Sequence, residues 1–116
     1  MPRRKLDPLP FVAFQILLAL SDQPLHGYAI MRQVEDQTEG RMRMGPATLY
    51  GSIQTLLEAG MIEEVDAPSE DEGQDGRRRY YRISSAGRKI AREEAERLAG
   101  ALRIARTKKI LRGDYV

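Results

Sequence analysis

The segment from Pro46 to Gly60 has one apolar face and one face of small, hydrogen-bonding side chains. Pro46 suits the first turn of a helix, and apolar residues recur at the i, i+4, i+7 and i+8 spacing of one buried face: Leu49, Ile53, Leu56 and Leu57. The opposite face carries Ala47, Thr48, Gly51, Gln54, Thr55 and Glu58. Such a surface can approach base edges in the major groove, where glutamine pairs with adenine through two hydrogen bonds and threonine can touch a thymine methyl group. The pattern predicts a recognition helix, although a polar face can also simply meet water.

Hydroxyl and guanidinium groups near this helix could reach the DNA backbone. Tyr50 and Ser52 lie on the flanks of the apolar face, where their hydroxyls could contact phosphate oxygens, and a half-buried tyrosine is the alternative for Tyr50. Arg77, Arg78 and Arg79 suit contacts to phosphate or the minor groove, unless they form an ordinary solvated run. We therefore predict DNA contacts by these five residues and by Ala47, Thr48, Gly51, Gln54 and Thr55.

An acidic stretch precedes the three arginines. Seven acidic and no basic side chains lie from Glu63 to Asp75, and DNA phosphates would repel them. We expect this stretch to point away from the duplex or to move, with the arginines at its base making the contacts.

The residues needed for catalysis or metal binding are missing. The chain has no cysteine and a single histidine, His26, so thiolate zinc sites, disulfides and most histidine metal sites are excluded. A nucleophile, a base and an orienting acid cannot be assembled around one histidine, and no glycine loop of the phosphate-binding kind occurs. We expect no enzymatic activity, no metal and no cofactor, and we expect His26 to pack or cap locally.

Length and composition indicate one globular domain. The 116 residues are too few for a catalytic and a regulatory domain, and 41% hydrophobic with 31% charged residues is ordinary globular usage. The longest apolar run, Phe11 to Leu20, includes Gln15 and is shorter than the roughly 20 residues that span a bilayer. We expect a cytoplasmic protein with no membrane contact.

The order of elements predicts a mainly α (α+β) fold, a winged helix-turn-helix domain with a two-stranded wing and a long C-terminal dimerisation helix. Three helices are predicted at about Leu9–Ser21, His26–Thr38 and Pro46–Gly60, a hairpin at Met61–Val65 and Arg79–Ile83, and a helix from Ser84 or Ser85 to about Leu111. The DNA-binding region would span residues 1–84, with the wing at about 61–83. Residues 85–116 would add the dimerisation helix and a basic tail. Strand alternation predicts Tyr81 and Ile83 facing inward, and Tyr80 and Arg82 outward.

Two helices carry more apolar surface than one small domain covers. The first is apolar on nearly all sides, so its residues Phe11 and Phe14 are predicted to meet a partner subunit. The last has the narrow 4-3-4-3 spacing of a coiled-coil seam: Ala91, Ala95, Leu98, Leu102 and Ala105. Together they predict a homodimer.

Four strings, in this order and spacing, resemble the PadR family of transcriptional regulators. They are His26-Gly27-Tyr28-Ala29-Ile30, Pro46-Ala47-Thr48-Leu49-Tyr50, Leu56-Leu57-Glu58-Ala59-Gly60-Met61-Ile62 and Gly76-Arg77-Arg78-Arg79-Tyr80-Tyr81-Arg82-Ile83-Ser84. The resemblance implies a bacterial or archaeal repressor of the short subclass, whose single C-terminal helix pairs with its twin and with the partner's N-terminal helix. It also implies release from DNA by a small aromatic or drug-like molecule. Here Leu98 and Leu102 occupy the seam and tryptophan is absent, so aromatic stacking of a ligand there is not expected, and the effector site is unknown.

Three functions therefore compete. The preferred one is a dimeric, sequence-specific transcriptional regulator, a repressor released by a small-molecule effector, on a near-palindromic double-stranded DNA operator. The alternative is a winged-helix protein–protein interaction module without operator binding, supported by the acidic stretch. A carrier of small molecules in the dimer cavity is disfavoured by the lack of clustered aromatic residues.

Overall fold

The structure is a computed structural model that describes residues 6, 8–67 and 79–112. Within them the chain forms helices α1 (Phe11–Ala19), α2 (Gly27–Gln37), α3 (Pro46–Glu58) and α4 (Ser85–Thr107), and strands β1 (Leu25–His26), β2 (Ile62–Val65) and β3 (Tyr80–Ile83). The predicted fold class is confirmed. In the described part of the chain, no helix is long and apolar enough to cross a membrane.

Two helices begin at capping side chains that the sequence indicates. The His26 Nδ1 atom accepts a hydrogen bond of 3.2 Å from the backbone N–H of Ala29, so His26 caps α2 as predicted. Ser84 caps α4 in the same way, because its Oγ accepts from the Gly87 N–H at 3.0 Å. The α1 helix is shorter than predicted at both ends and follows Pro10.

The α1 helix forms the centre of the core. Its contacts reach α2, α3 and α4. The fully buried large side chains come from α1 and its C-cap, from α2, from α3 and from the sheet: Ile16, Leu17, Leu20, Ile30, Val34, Leu49, Leu56 and Ile62. Gln15 is buried among them. Its backbone oxygen and its Oε1 both accept a hydrogen bond of 2.8 Å from Nε2 of Gln37, in α2. The one polar residue of the apolar run is therefore satisfied, and it joins α1 to α2.

The sheet has three antiparallel strands in the order β1-β3-β2, one more than predicted. Across β2 and β3, Ile62 lies opposite Ile83 and Glu63 opposite Arg82, whose Nε is 2.9 Å from Glu63 Oε1. The added strand β1 pairs His26 with Tyr80.

The prediction that Tyr80 faces solvent is wrong. Tyr80 is only 5% exposed, because β1 covers that edge of the hairpin and the His26 ring packs edge-on against the tyrosine ring, with 5.3 Å between centroids. Tyr81 is buried and Arg82 exposed as predicted, while Ile83 is half-buried. Successive side chains still point to opposite faces of the sheet, but they alternate between buried and exposed only where one face is solvated, and the His26 ring of β1 covers Tyr80 on its face.

The start of α4 lies directly on the turn that follows α3. Gly60 has φ +74°, and the N–H groups of Gly60 and Met61 donate to the carbonyl oxygens of Leu57 and Leu56, which ends α3. Ser84 then bonds this turn twice, through its N–H to the Met61 oxygen at 3.0 Å and its Oγ to the Gly60 oxygen at 2.7 Å. A Cβ at Gly87 would lie 2.0 Å from the Met61 oxygen, so only glycine fits there.

We predict that Gly87→Ala destabilises the fold by about 1–3 kcal/mol, because the methyl group would push apart two backbone segments that are hydrogen-bonded to each other. Gly100→Ala is the matched control within the same helix. A Cβ there would be 3.6 Å from Arg103 Nη2, an ordinary contact, and alanine should stabilise the helix by up to about 1 kcal/mol. Urea unfolding at one protein concentration measures both effects. Equal stability of the two variants would contradict this account of Gly87.

Candidate nucleic-acid interface

The α3 helix separates its residues as the sequence predicts. Leu49, Ile53 and Leu56 are buried, and they fix the helix on the core. The opposite face is open to solvent, with exposed Ala47, Thr48, Gly51, Gln54 and Glu58 and half-buried Thr55. A rigid helix thus presents small and hydrogen-bonding groups outward.

Hydrogen bonds within the helix limit what this face can offer to a ligand. Thr55 Oγ1 donates to the Gly51 oxygen at 3.0 Å, so its hydrogen is occupied and the methyl group and oxygen lone pairs remain. Gln54 Nε2 donates to Glu58 Oε2 at 3.1 Å. A Cβ on Gly51 would meet nothing within 4 Å, so the fold does not require glycine there and its smallness leaves space for a ligand.

One flank of this face borders α1. Thr48, Ser52 and Thr55 line a groove of about 390 Å³ with Pro10, Val12 and Ala13 at the beginning of α1. Ser52, a predicted phosphate contact, is half-buried in this groove.

The other flank borders the first turn of α2. Tyr50 is 52% exposed, and a Cβ on Gly27 would be 2.5 Å from the Tyr50 hydroxyl oxygen. The tyrosine therefore lies across Gly27, with about half its surface covered and half available. The sequence predicts no role for Gly27, because this contact joins two helices and leaves no periodic signal along the chain.

The wing contributes charge next to this flank. Arg79 is exposed, with its Nε 3.8 Å from Glu64 Oε2, and its side chain hydrogen-bonds to Tyr81. Burial raises the pKa of Tyr81, and the nearby Glu64 carboxylate and Tyr50 raise it further, while Arg79 opposes them. Tyr81 therefore lies near both Arg79 and Tyr50. Arg77, Arg78 and the acidic residues 70–75 lie outside the described residues.

The residues predicted for the dimer interface differ in how far the chain itself covers them. Phe14 at 7% exposed and Ala91 at 9% belong to the core, because α1 packs between α2, α3 and α4, and they keep little surface for a partner. Phe11 is 58% exposed and Ala95 is also exposed. Leu98, Leu102 and Ala105 are half-buried, and Leu98 packs against the core.

Known proteins share this sequence pattern and this fold. Residues 16–93 match the transcriptional regulator PadR-like family. An uncharacterized 37.1 kDa protein in transposon TN4556 of Streptomyces fradiae is 36% identical over 84 residues, which cover 72% of this chain and 22% of that protein. The chain thus spans about a fifth of the length of that curated relative.

Two solved structures show the same fold at low sequence identity. A PadR family transcription regulator from hypervirulent Clostridium difficile R20291 has 17% identity and a TM-score of 0.71, with 84% of this chain and 97% of that chain covered. Bacillus subtilis PadR in complex with operator DNA has 16% identity and a TM-score of 0.62, with 73% and 46% covered.

The raised pKa of Tyr81 predicts a pH dependence of stability. A phenol that ionises later in the folded than in the unfolded protein stabilises the fold fully below the ordinary pKa of about 10, and this stability is lost as pH rises through the raised folded pKa. We therefore expect wild type to lose more stability than Tyr81→Phe between about pH 9 and 11. Urea unfolding across this range measures it, with Tyr28→Phe, at an exposed position, as control. Identical pH profiles for wild type and Tyr81→Phe would contradict the prediction.

Proposed function

We propose that this chain, which belongs to the PadR-like family of transcriptional regulators, is a homodimeric repressor that binds operator DNA through α3. Members of this family are transcriptional regulators and not enzymes. Repression, operator binding, dimerisation and release by a small-molecule effector are our proposals for this chain. Because its target would be DNA, we propose that it acts in the cytoplasm.

The main support for operator binding is the exposed face of α3, which combines small and hydrogen-bonding side chains. Side chains that bond to base edges, Thr48 and Gln54, stand beside the small residues Ala47 and Gly51 on a helix fixed by a buried face. This combination lets the helix backbone come close to the bases, which a face of long charged side chains would prevent. The operator complex of the structurally similar Bacillus subtilis PadR supports this use of the fold.

Contacts to DNA would divide between the centre and the flanks of this surface. We assign base contacts to the central face: Ala47, Thr48, Gly51, Gln54 and Thr55. We assign backbone contacts to Tyr50, Ser52 and Arg79, and to Arg77 and Arg78 beyond the described residues. Contacts to phosphate fix the position of a protein on the duplex, whereas contacts to base edges select the sequence.

The proposed dimer presents two copies of α3, related by a two-fold axis, on one face. Phe11, Ala95 and the half-buried Leu102 and Ala105 keep apolar surface for the second copy. A two-fold dimer of this kind reads a near-palindromic operator whose half-sites lie about one helical turn apart.

DNA titration of variants tests the assignment of contacts. On an operator selected from a random pool, wild-type affinity should fall linearly with the logarithm of salt concentration. Arg79→Ala should weaken binding to all sequences alike and lower the salt slope by about one, whereas Gln54→Ala should cost about 1–3 kcal/mol and relax the preference at one base pair.

Two results would contradict this proposal. Selection of no preferred sequence by wild type would exclude operator binding and favour the interaction module. Loss of base preference in Arg79→Ala but not in Gln54→Ala would reverse the assigned roles.

The dimer is tested with a matched pair of charge substitutions in α4. Leu102→Asp places a carboxylate in the proposed seam, so it should yield monomer and weaken operator binding at least tenfold, since a half-site alone would be bound. Ile104→Asp is the control, because Ile104 is 58% exposed and lies about 200° around the helix from Leu102. Analytical ultracentrifugation measures both. A Leu102→Asp variant that sediments as wild type would exclude this seam.

A further inference from the structure

Glu58 is the only charged residue between Pro46 and Gly60, and it stands on the outward face of α3. Its Oε2 accepts a hydrogen bond of 3.1 Å from Gln54 Nε2, one turn earlier on the same helix. Both side chains are exposed, and a hydrogen bond between exposed side chains contributes little to stability. Stability therefore gives little reason for this hydrogen bond, and a role in DNA recognition is the alternative.

We propose that Glu58 is a positioning residue that sets base specificity by fixing the amide of Gln54 in one orientation. This inference rests on the proposed function, in which α3 reads base edges. The helical spacing places Glu58 on the same face as Gln54 but predicts no contact for it.

The chemistry of the two groups explains how the orientation is fixed. A side-chain amide can turn by 180° and exchange its oxygen and nitrogen, so a free glutamine presents either pattern to a base. An ionised carboxylate only accepts hydrogen bonds, so Glu58 can face the nitrogen of Gln54 and not its oxygen. With one Nε2 hydrogen held by Glu58, the other hydrogen and Oε1 remain for a ligand.

These remaining groups are complementary to adenine. The free Nε2 hydrogen can donate to adenine N7 while Oε1 accepts from the N6 amino group. Guanine presents acceptors at both N7 and O6, so it would leave Oε1 facing an acceptor. The negative charge of Glu58 would also repel those two acceptors. Glu58 and Gln54 together therefore select adenine against guanine.

The experiment compares base preference in four proteins: wild type, Glu58→Gln, Gln54→Ala and the double variant. The DNA is the operator that wild type selects from a random pool, with all four base pairs placed in turn at each half-site position. At the position where Gln54→Ala loses preference, wild type should favour adenine over guanine by about tenfold or more. Glu58→Gln should reduce this ratio to about threefold or less, because its amide can accept or donate. The double variant should show the same ratio as Gln54→Ala alone, because Glu58 acts through Gln54.

Two further variants separate the hydrogen bond from charge and from folding. Glu58→Asp keeps the charge but shortens the side chain by one methylene, so it should lose the part of the preference that depends on the hydrogen bond to Gln54. Glu96→Gln removes a carboxylate from an exposed position of α4 and should bind as wild type. Glu58 and Lys89 also line one groove, between the end of α3 and the beginning of α4. A purely structural role of Glu58 in this groove would lower the melting temperature of Glu58→Gln. We expect that melting temperature to equal the one of wild type.

Several outcomes would overturn the inference alone. One is an unchanged adenine preference in Glu58→Gln or in Glu58→Asp. Another is that Glu58→Gln loses preference at a different base pair from Gln54→Ala and that the double variant shows both losses, which would mean that Glu58 contacts a base itself. A melting temperature lowered in Glu58→Gln, with the base preference intact, would also overturn it. Selection of no operator by wild type would instead overturn the proposed function, and this inference with it.

Discussion

At Gly87 the backbone of α4 lies so close to the carbonyl group of Met61 that no side chain fits between them. This contact joins α3, the proposed recognition helix, to α4, the proposed dimer helix. It sits where the turn after α3 meets the first turn of α4, and Ser84 bonds both residues of that turn. The end of the proposed recognition helix and the beginning of the proposed dimer helix are therefore held as one unit. In a two-fold dimer, the distance between the two recognition helices would depend on the direction in which α4 leaves this junction.

The core supports that junction through α1. A helix apolar on nearly all sides is stable in water only if other elements cover it, and α2, α3 and α4 cover most of it here. Its single buried polar side chain, Gln15, is satisfied by Gln37. Because the chain itself covers Phe14 and leaves Phe11 exposed, the surface available to a second copy is narrower than the apolar pattern of α1 indicates.

The proposed DNA surface separates neutral groups from charged ones. Its central face offers hydroxyl, amide and methyl groups with one carboxylate, while Arg79, directly before β3 in the wing, lies to the side near Tyr81. Neutral donors and acceptors discriminate between bases, and guanidinium groups attract phosphate regardless of sequence. The contact of Tyr50 with Gly27, and its interaction with Tyr81, connect these two functions through the first turn of α2.

The sequence alone determined the features that depend on neighbouring residues. The caps at His26 and Ser84, the start of α3 at Pro46, its buried face and its exposed face could all be predicted, because helical spacing and capping act within a few residues. The hairpin followed from the composition of its two strands. The tertiary structure decided the features that join distant segments: strand β1 and the burial of Tyr80 beside His26, the approach of Tyr50 to Gly27, and the coverage of Phe14 and Ala91. These contacts arise from packing between elements, and a two-residue strand or a single close approach leaves no period along the chain from which it could be predicted.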